Sequence, residues 1–96
     1  MVTVWTPKAS VELNKAFKYI NQDSPANARK VISTILDIAD KIALQPEMFP
    51  VDKYKKNNDG TWRAFEKYRY RISYHITKDV IHIIRMRHTS QSPLHY

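Results

Sequence analysis

The chain has no cysteine and only one glycine, Gly60, in 96 residues. The first absence excludes a disulfide framework and any thiolate metal site, and it suits a reducing compartment. The second excludes a P-loop and a dinucleotide fingerprint, which need several glycines to bring backbone N–H groups close to phosphate. No stretch of about 18 consecutive apolar residues is present to span a bilayer, and the N-terminus lacks the apolar run of a signal peptide. A soluble, cytoplasmic protein with no membrane partner is expected. Acidic residues are also scarce where the chain is most basic. Residues 61–96 hold two, Glu66 and Asp79, against seven Lys and Arg, whereas residues 1–60 hold seven against nine. The formal charge of +7 is therefore concentrated in the last third, which points to a polyanion or an acidic partner.

Ninety-six residues, 43 % hydrophobic and strongly periodic, make one folded domain, 1–96. Val2 to Trp5 is β-prone. Thr6-Pro7 is a helix start, with the threonine as N-cap and the proline at the first helical position. Ala9, Leu13, Ala16, Phe17 and Ile20 then form an apolar stripe at helical spacing that stops in Asn21-Gln22-Asp23. Ser24-Pro25 repeats the start signal. Ala28, Val31, Ile32, Ile35, Ile38, Ala39 and Ile42 form a second stripe, and Pro46 ends it. Two such helices joined by a loop of a few residues make an αα-hairpin. Met48 to Gly60 reads as a loop closed by the turn signal Asn58-Asp59-Gly60. Strand segments follow at about 62–66, 68–76 and 80–87. The expected class is α+β in the order β-α-α-β-β-β: a mainly antiparallel sheet with the hairpin on one face and the other face free for function.

From Tyr68 to Ile76, Tyr, Tyr, Ile, Tyr and Ile alternate with Arg69, Arg71, Ser73 and His75, the pattern of a strand with one wet face. Tyr68, Tyr70 and Tyr74 fall on the inward phase. In the last strand Ile84 and Met86 read as inward, Arg85 and Arg87 as outward. A two-residue loop at Lys78-Asp79 would set Ile72 against Arg85 and Tyr70 against Arg87. A three-residue loop, Thr77 to Asp79, sets Ile72 against Ile84 and Tyr70 against Met86, and hydrophobic matching favours it. That register also sets Arg71 against Arg85 and Arg69 against Arg87. Opposed like charges repel, so the cluster suits a bound anion, and the planar guanidinium fork matches phosphate oxygens. Arg63 is expected to join this face, with Lys53, Lys55 and Lys56 adding attraction from the loop. Tyr96, in a polar tail, is free to stack on a base or to transfer a proton, unless it is simply a disordered end. The four histidines lack the spacing of a helical zinc site, and no metal or cofactor is expected. His88 ends the last strand beside Arg87, where an imidazole suits acid or base work as well as a plain strand-end role.

The opening WTPKASVELNKAFKYI, the SPANARKVISTI helix, the strand phrases YRISYHI and DVIHIIRMRH, and the closing HTSQSPLHY together resemble the RelE/ParE superfamily of toxins from type II toxin–antitoxin modules, nearly end to end. The resemblance implies a bacterial or archaeal origin, a basic sheet face as the active surface, and a cognate antitoxin that wraps and blocks the toxin. RelE-like members cut mRNA on the ribosome without a metal, and ParE-like members inhibit DNA gyrase. By position, Arg71 matches the arginine of the RelE-like Tyr-Arg strand motif and Tyr96 their C-terminal tyrosine, while Arg63 and Lys55 fall near basic family positions. The resemblance thus implies a metal-free, ribosome-dependent mRNA endoribonuclease that inhibits translation, with ribosome and mRNA as partners. Arg63, Arg71 and Arg87 would stabilise the phosphorane formed by 2′-OH attack, and His88 or Tyr96 would move protons. Lys53, Lys55, Lys56, Arg69 and Arg85 would hold RNA. One position departs from the pattern: many relatives carry arginine just after His-Thr-Ser, where this chain has Gln91. The missing phosphate contact motivates the alternative, a ParE-like, non-enzymatic gyrase inhibitor.

Overall fold

Thr6 and Ser24 start the two helices in the same way. Each is extended, and its side-chain oxygen accepts from the backbone N–H three residues on, Ala9 at 3.2 Å and Asn27 at 3.1 Å. Each precedes a proline, whose missing N–H is no loss at a helix start. The computed structural model describes residues 1–96. It contains β1 (Val2–Trp5), α1 (Pro7–Asp23), α2 (Pro25–Leu44), a short 3-10 turn (Pro46–Met48), β2 (Trp62–Lys67), β3 (Tyr70–Ile76) and β4 (Val80–His88). The loop expected at Asn21 to Asp23 is helical instead. Ser24 alone joins the helices: its N–H donates to Ile20 O at 3.0 Å to close α1, while its hydroxyl opens α2. The residue before proline is pushed out of the helical region, so one residue makes the break.

The strands form one four-stranded sheet in the order β1-β4-β3-β2. β1 runs parallel to β4, and the other pairs are antiparallel. The helical hairpin packs on one face. Ile35 and Ile42 of α2 meet Ile72, Tyr74, Ile81 and Ile83 of the sheet in a fully buried layer. The Tyr74 hydroxyl donates to Pro46 O at 2.8 Å, so this buried phenol is satisfied. The α+β class and the β-α-α-β-β-β order are those read from the sequence.

Two details of the sheet differ from expectation. β3 begins at Tyr70, because Tyr68 and Arg69 are the turn between β2 and β3. Both have positive φ, 52° and 67°, as a type I′ hairpin turn requires. Tyr68 is thus on the surface, not in the core, and Arg69 leaves the strand face. The β3–β4 register is neither of the simple alternatives. It begins as the two-residue loop dictates, with His75 opposite His82 and Tyr74 opposite Ile83. A bulge then absorbs Ile84, and pairing resumes with Ser73 opposite Arg85, Ile72 opposite Met86 and Arg71 opposite Arg87. The tight turn decides one end and hydrophobic matching the other, and the extra residue reconciles them. Arg71 therefore faces Arg87 instead of Arg85, and Arg69 faces neither.

The sheet face opposite the helices is not bare. Pro50 to Asp52 runs along the edge of β2, with Asp52 N–H donating to Trp62 O at 2.8 Å and Ala64 N–H to Pro50 O at 3.3 Å. The tail returns to the same loop: Tyr96 N–H donates to Tyr54 O at 3.1 Å and Lys56 N–H to Tyr96 O at 2.6 Å. Ala64 and Ser73, whose phase points to this face, are buried.

Because Ser24 serves both helices, Ser24→Ala should lower the unfolding free energy by about 1 kcal/mol. The measurement is a lower urea midpoint with an unchanged m-value.

Candidate functional site on the open sheet face

Arg71 projects from β3 between Glu66 of β2 and Arg87 of β4. The loop after α2 sets Asp52 against it, with only 2 % of that residue exposed. Arg71 Nη2 donates to Asp52 Oδ1 at 2.8 Å, and Nη1 donates to Glu66 Oε2 at 3.0 Å. Asp52 Oδ1 also accepts the Tyr54 N–H at 3.0 Å, and Oδ2 accepts the Tyr96 hydroxyl at 2.6 Å. The Tyr54 ring lies over the guanidinium, 4.8 Å from centroid to Cζ. Burial works against the Asp52 charge, but hydrogen bonds from Tyr96, Arg71 and the Tyr54 N–H outweigh it and hold the carboxyl below its usual range. Burial, together with the Asp52 carboxylate, pushes the Tyr96 phenol well up. At neutral pH the phenol is a committed donor, and the charge of Arg71 is matched by two carboxylates.

The remaining candidates divide. Arg63 opposes Tyr74, and its Nε and Nη1 donate to Gly60 O at 3.1 Å and Phe49 O at 2.7 Å, so it closes the loop. Arg85 reaches α1, where Nε and Nη2 grip the Glu12 carboxylate. His88 opposes Tyr70 on the inward phase, edge-on to its ring at 5.1 Å, with Nδ1 2.7 Å from Ser90 Oγ. Arg87 keeps to the open face, where its Nη2 is 3.3 Å from Ser92 O and no carboxylate pairs with it. Lys55 Nζ sits over the rings of Trp62 and Tyr96 at 4.9 and 5.5 Å, and Lys53 over Tyr54 at 5.2 Å. Lys56 and Arg69 are exposed. Arg71 and Arg87 thus share one pocket with Asp52, Glu66 and Gln91, bordered by Tyr96 through Asp52. Arg85 and His88 also border it, but their charged or titratable ends are engaged elsewhere.

Sequence reasoning missed the carboxylates. Glu12 and Asp52 lie far back in the chain from the arginines they meet, so counting acids in the last third could not find them. The one available signal was Asp52 itself, a lone acid inside the basic stretch Val51 to Lys56. Gln91 has a local task as well: its Oε1 accepts the His88 N–H at 3.1 Å and closes the turn after β4.

The Asp52 contacts couple this site to stability. Its folded pKa lies below the ordinary 3.8. Its contribution is therefore complete above that value and is lost as pH falls through the folded value. Asp52→Asn should cost about 3 kcal/mol at pH 7 by leaving Arg71 half-paired. The variant should also show a shallower loss of stability below pH 3.8 than the parent, measured by urea unfolding across the acid range.

The comparisons with known proteins agree with the architecture. The family described as "ParE toxin of type II toxin-antitoxin system, parDE" matches residues 3–93. No curated protein matches the chain. A solved structure from the chromosomal ParDE toxin–antitoxin system of P. aeruginosa superposes with a TM-score of 0.68 at 17 % identity, covering 91 % of this chain and 92 % of that one. At that identity the superposition speaks for the fold, and the family match speaks for descent. No helix is long and apolar enough to cross a membrane. With the match running through nearly the whole chain, the protein belongs to the ParE toxin family of type II toxin–antitoxin systems.

Proposed function

We infer that this toxin acts by binding and obstructing a macromolecular target, not by cutting RNA. DNA gyrase, the target that resemblance to ParE-like toxins implies, is the first candidate. The observation that carries this reading is the cluster around Asp52. A metal-free ribonuclease needs unmatched positive charge at the scissile phosphate, with a base for the 2′-OH and an acid for the leaving oxygen. Arg71 is already matched by Asp52 and Glu66, Tyr96 donates to Asp52, and His88 turns toward Tyr70 and Ser90. These contacts favour a docking surface over a reaction centre. Lys53, Lys55, Lys56, Lys67, Arg69 and Arg87 have no carboxylate partner. They lie on the loop, the β2–β3 turn and the open face, and they suit an acidic protein surface or the DNA that gyrase holds. Membership in a type II toxin–antitoxin family implies a cognate antitoxin as the other partner.

The purified protein should inhibit gyrase supercoiling and leave mRNA on programmed ribosomes uncut. Tyr96→Phe, with folding checked by circular dichroism, should change inhibition by less than about threefold, whereas removing a general acid or base costs about 10²–10⁴ in rate. Reversing charge at Arg69 and Arg87 together, R69E with R87E, should weaken inhibition by about tenfold and reduce its salt sensitivity. New 2′,3′-cyclic phosphate ends on ribosome-bound mRNA, with supercoiling untouched, would return the protein to the endoribonuclease reading.

A further inference from the structure

Four residues of the chain have positive φ, and two of them are of types that accept it, Asn57 at 51° and Gly60 at 95°. The other two, Tyr68 at 52° and Arg69 at 67°, are the whole of the turn between Lys67 and Tyr70. A type I′ turn takes Asn-Gly most readily, because a Cβ in the left-handed region crowds the following carbonyl oxygen. A tyrosine there is an outlier. Contacts within the chain do not offset this strain. Tyr68 lies outside the hydrophobic core and is 39 % exposed, with the Lys67 ammonium 5.1 Å from its ring centroid. Lys67 and Arg69 are exposed as well, and neither meets a carboxylate. The turn is held from outside by the Thr89 N–H, which donates to Arg69 O at 2.7 Å. That is a backbone bond, which any residue at position 69 would accept. Side chains that strain the backbone and serve no contact inside the chain mark a binding surface.

We propose that Lys67-Tyr68-Arg69 is the anchor that seats the toxin on its target protein: the Tyr68 ring enters a pocket there, and Lys67 and Arg69 meet acidic side chains at the pocket rim. The proposal rests on the reading of this protein as a toxin that occupies its target. Tyrosine and arginine are the residues that most often dominate protein–protein binding. A two-residue turn clamped between paired strands is also preorganised, so little freedom is lost on docking. Duplex DNA fits this tip less well. Strong binding to DNA draws on roughly six to ten phosphate contacts, and the tip offers only the cations of Lys67 and Arg69. Lys53 and Lys55 do not extend it, because they lie over Tyr54 and Trp62. Trp62 begins β2 and Lys67 ends it, a separation of about 17 Å.

The experiment compares the full-length toxin with its double variant Tyr68→Asn, Arg69→Gly, which installs the dipeptide that a type I′ turn prefers. DNA gyrase holoenzyme is the probe. The double variant should be the more stable protein, its urea midpoint raised by about 1 M. It should nevertheless inhibit supercoiling, and bind gyrase without DNA, more than about tenfold less well. A turn with a purely structural role would give the first change without the second. Tyr68→Ala alone, which removes the ring and keeps both cations, should weaken gyrase binding by about tenfold. A stabilised double variant that inhibits like the parent overturns the proposal. So does a lowered urea midpoint, because the two side chains would then serve the fold. A loss seen only with duplex DNA in the absence of gyrase overturns it too, and assigns the tip to nucleic acid. A parent toxin that leaves supercoiling untouched overturns gyrase as the target, and the anchor with it, before any variant is compared.

Discussion

A carboxylate with 2 % of its residue exposed needs its charge and its lone pairs met from within the chain, and Asp52 is met by groups from three separate segments. The guanidinium comes from β3, the N–H of Tyr54 from its own loop, and the phenol from the tail. The loop lies on the sheet as it does because Asp52 must reach Arg71, and the tail returns because Tyr96 must reach Asp52. A buried ion pair of this kind contributes less to net stability than to choosing one arrangement among several. Here the choice is where the loop before β2 and the tail after β4 come to rest, on a face that would otherwise be open.

The same cluster determines what that face can do chemically. An arginine shared by Asp52 and Glu66 offers little unmatched charge to a phosphate, and a phenol that donates to a carboxylate resists losing its proton. Positive charge is available instead from lysines and arginines whose heads reach solvent around the cluster. Such a surface binds through long-range attraction and shape. That surface is what the proposed binding mode of action rests on in a chain of the ParE toxin family.

The hairpin between β3 and β4 shows how two local demands are settled. Lys78-Asp79 makes a tight turn, which alone would drive Arg85 opposite Ile72. Hydrophobic pairing needs Met86 there instead. The bulge at Ile84 satisfies both, and beyond it, where β4 runs past β1, Glu12 and Gln91 accept the outward N–H groups of Met86 and His88. Glu12 also takes up Arg85, so one acid on α1 both closes an edge and removes an arginine from the open face. β1 has no comparable side-chain cover, so the outward backbone groups of β4 and of β1 are met differently.

Much of the fold was legible in the sequence because it rests on local chemistry. Thr6-Pro7 and Ser24-Pro25 start helices through bonds that span three residues, apolar stripes declare their period, and Arg71 and Tyr74 lie on opposite faces through simple alternation. The candidate site was legible only in part. Arg71, Arg87 and Tyr96 could be chosen by residue type and position, but their states depend on Asp52, nineteen residues before Arg71 and forty-four before Tyr96. Tertiary structure also decided the bulge, the turn at Tyr68-Arg69 and the inward side of His88, because each follows from which strand lies beside which. Sequence by itself determined the kind of chain this is, its elements and its excess of positive charge. Folding decided which of those charges are spent on carboxylates, since electrostatic pairing depends on distance in space and not on separation along the chain.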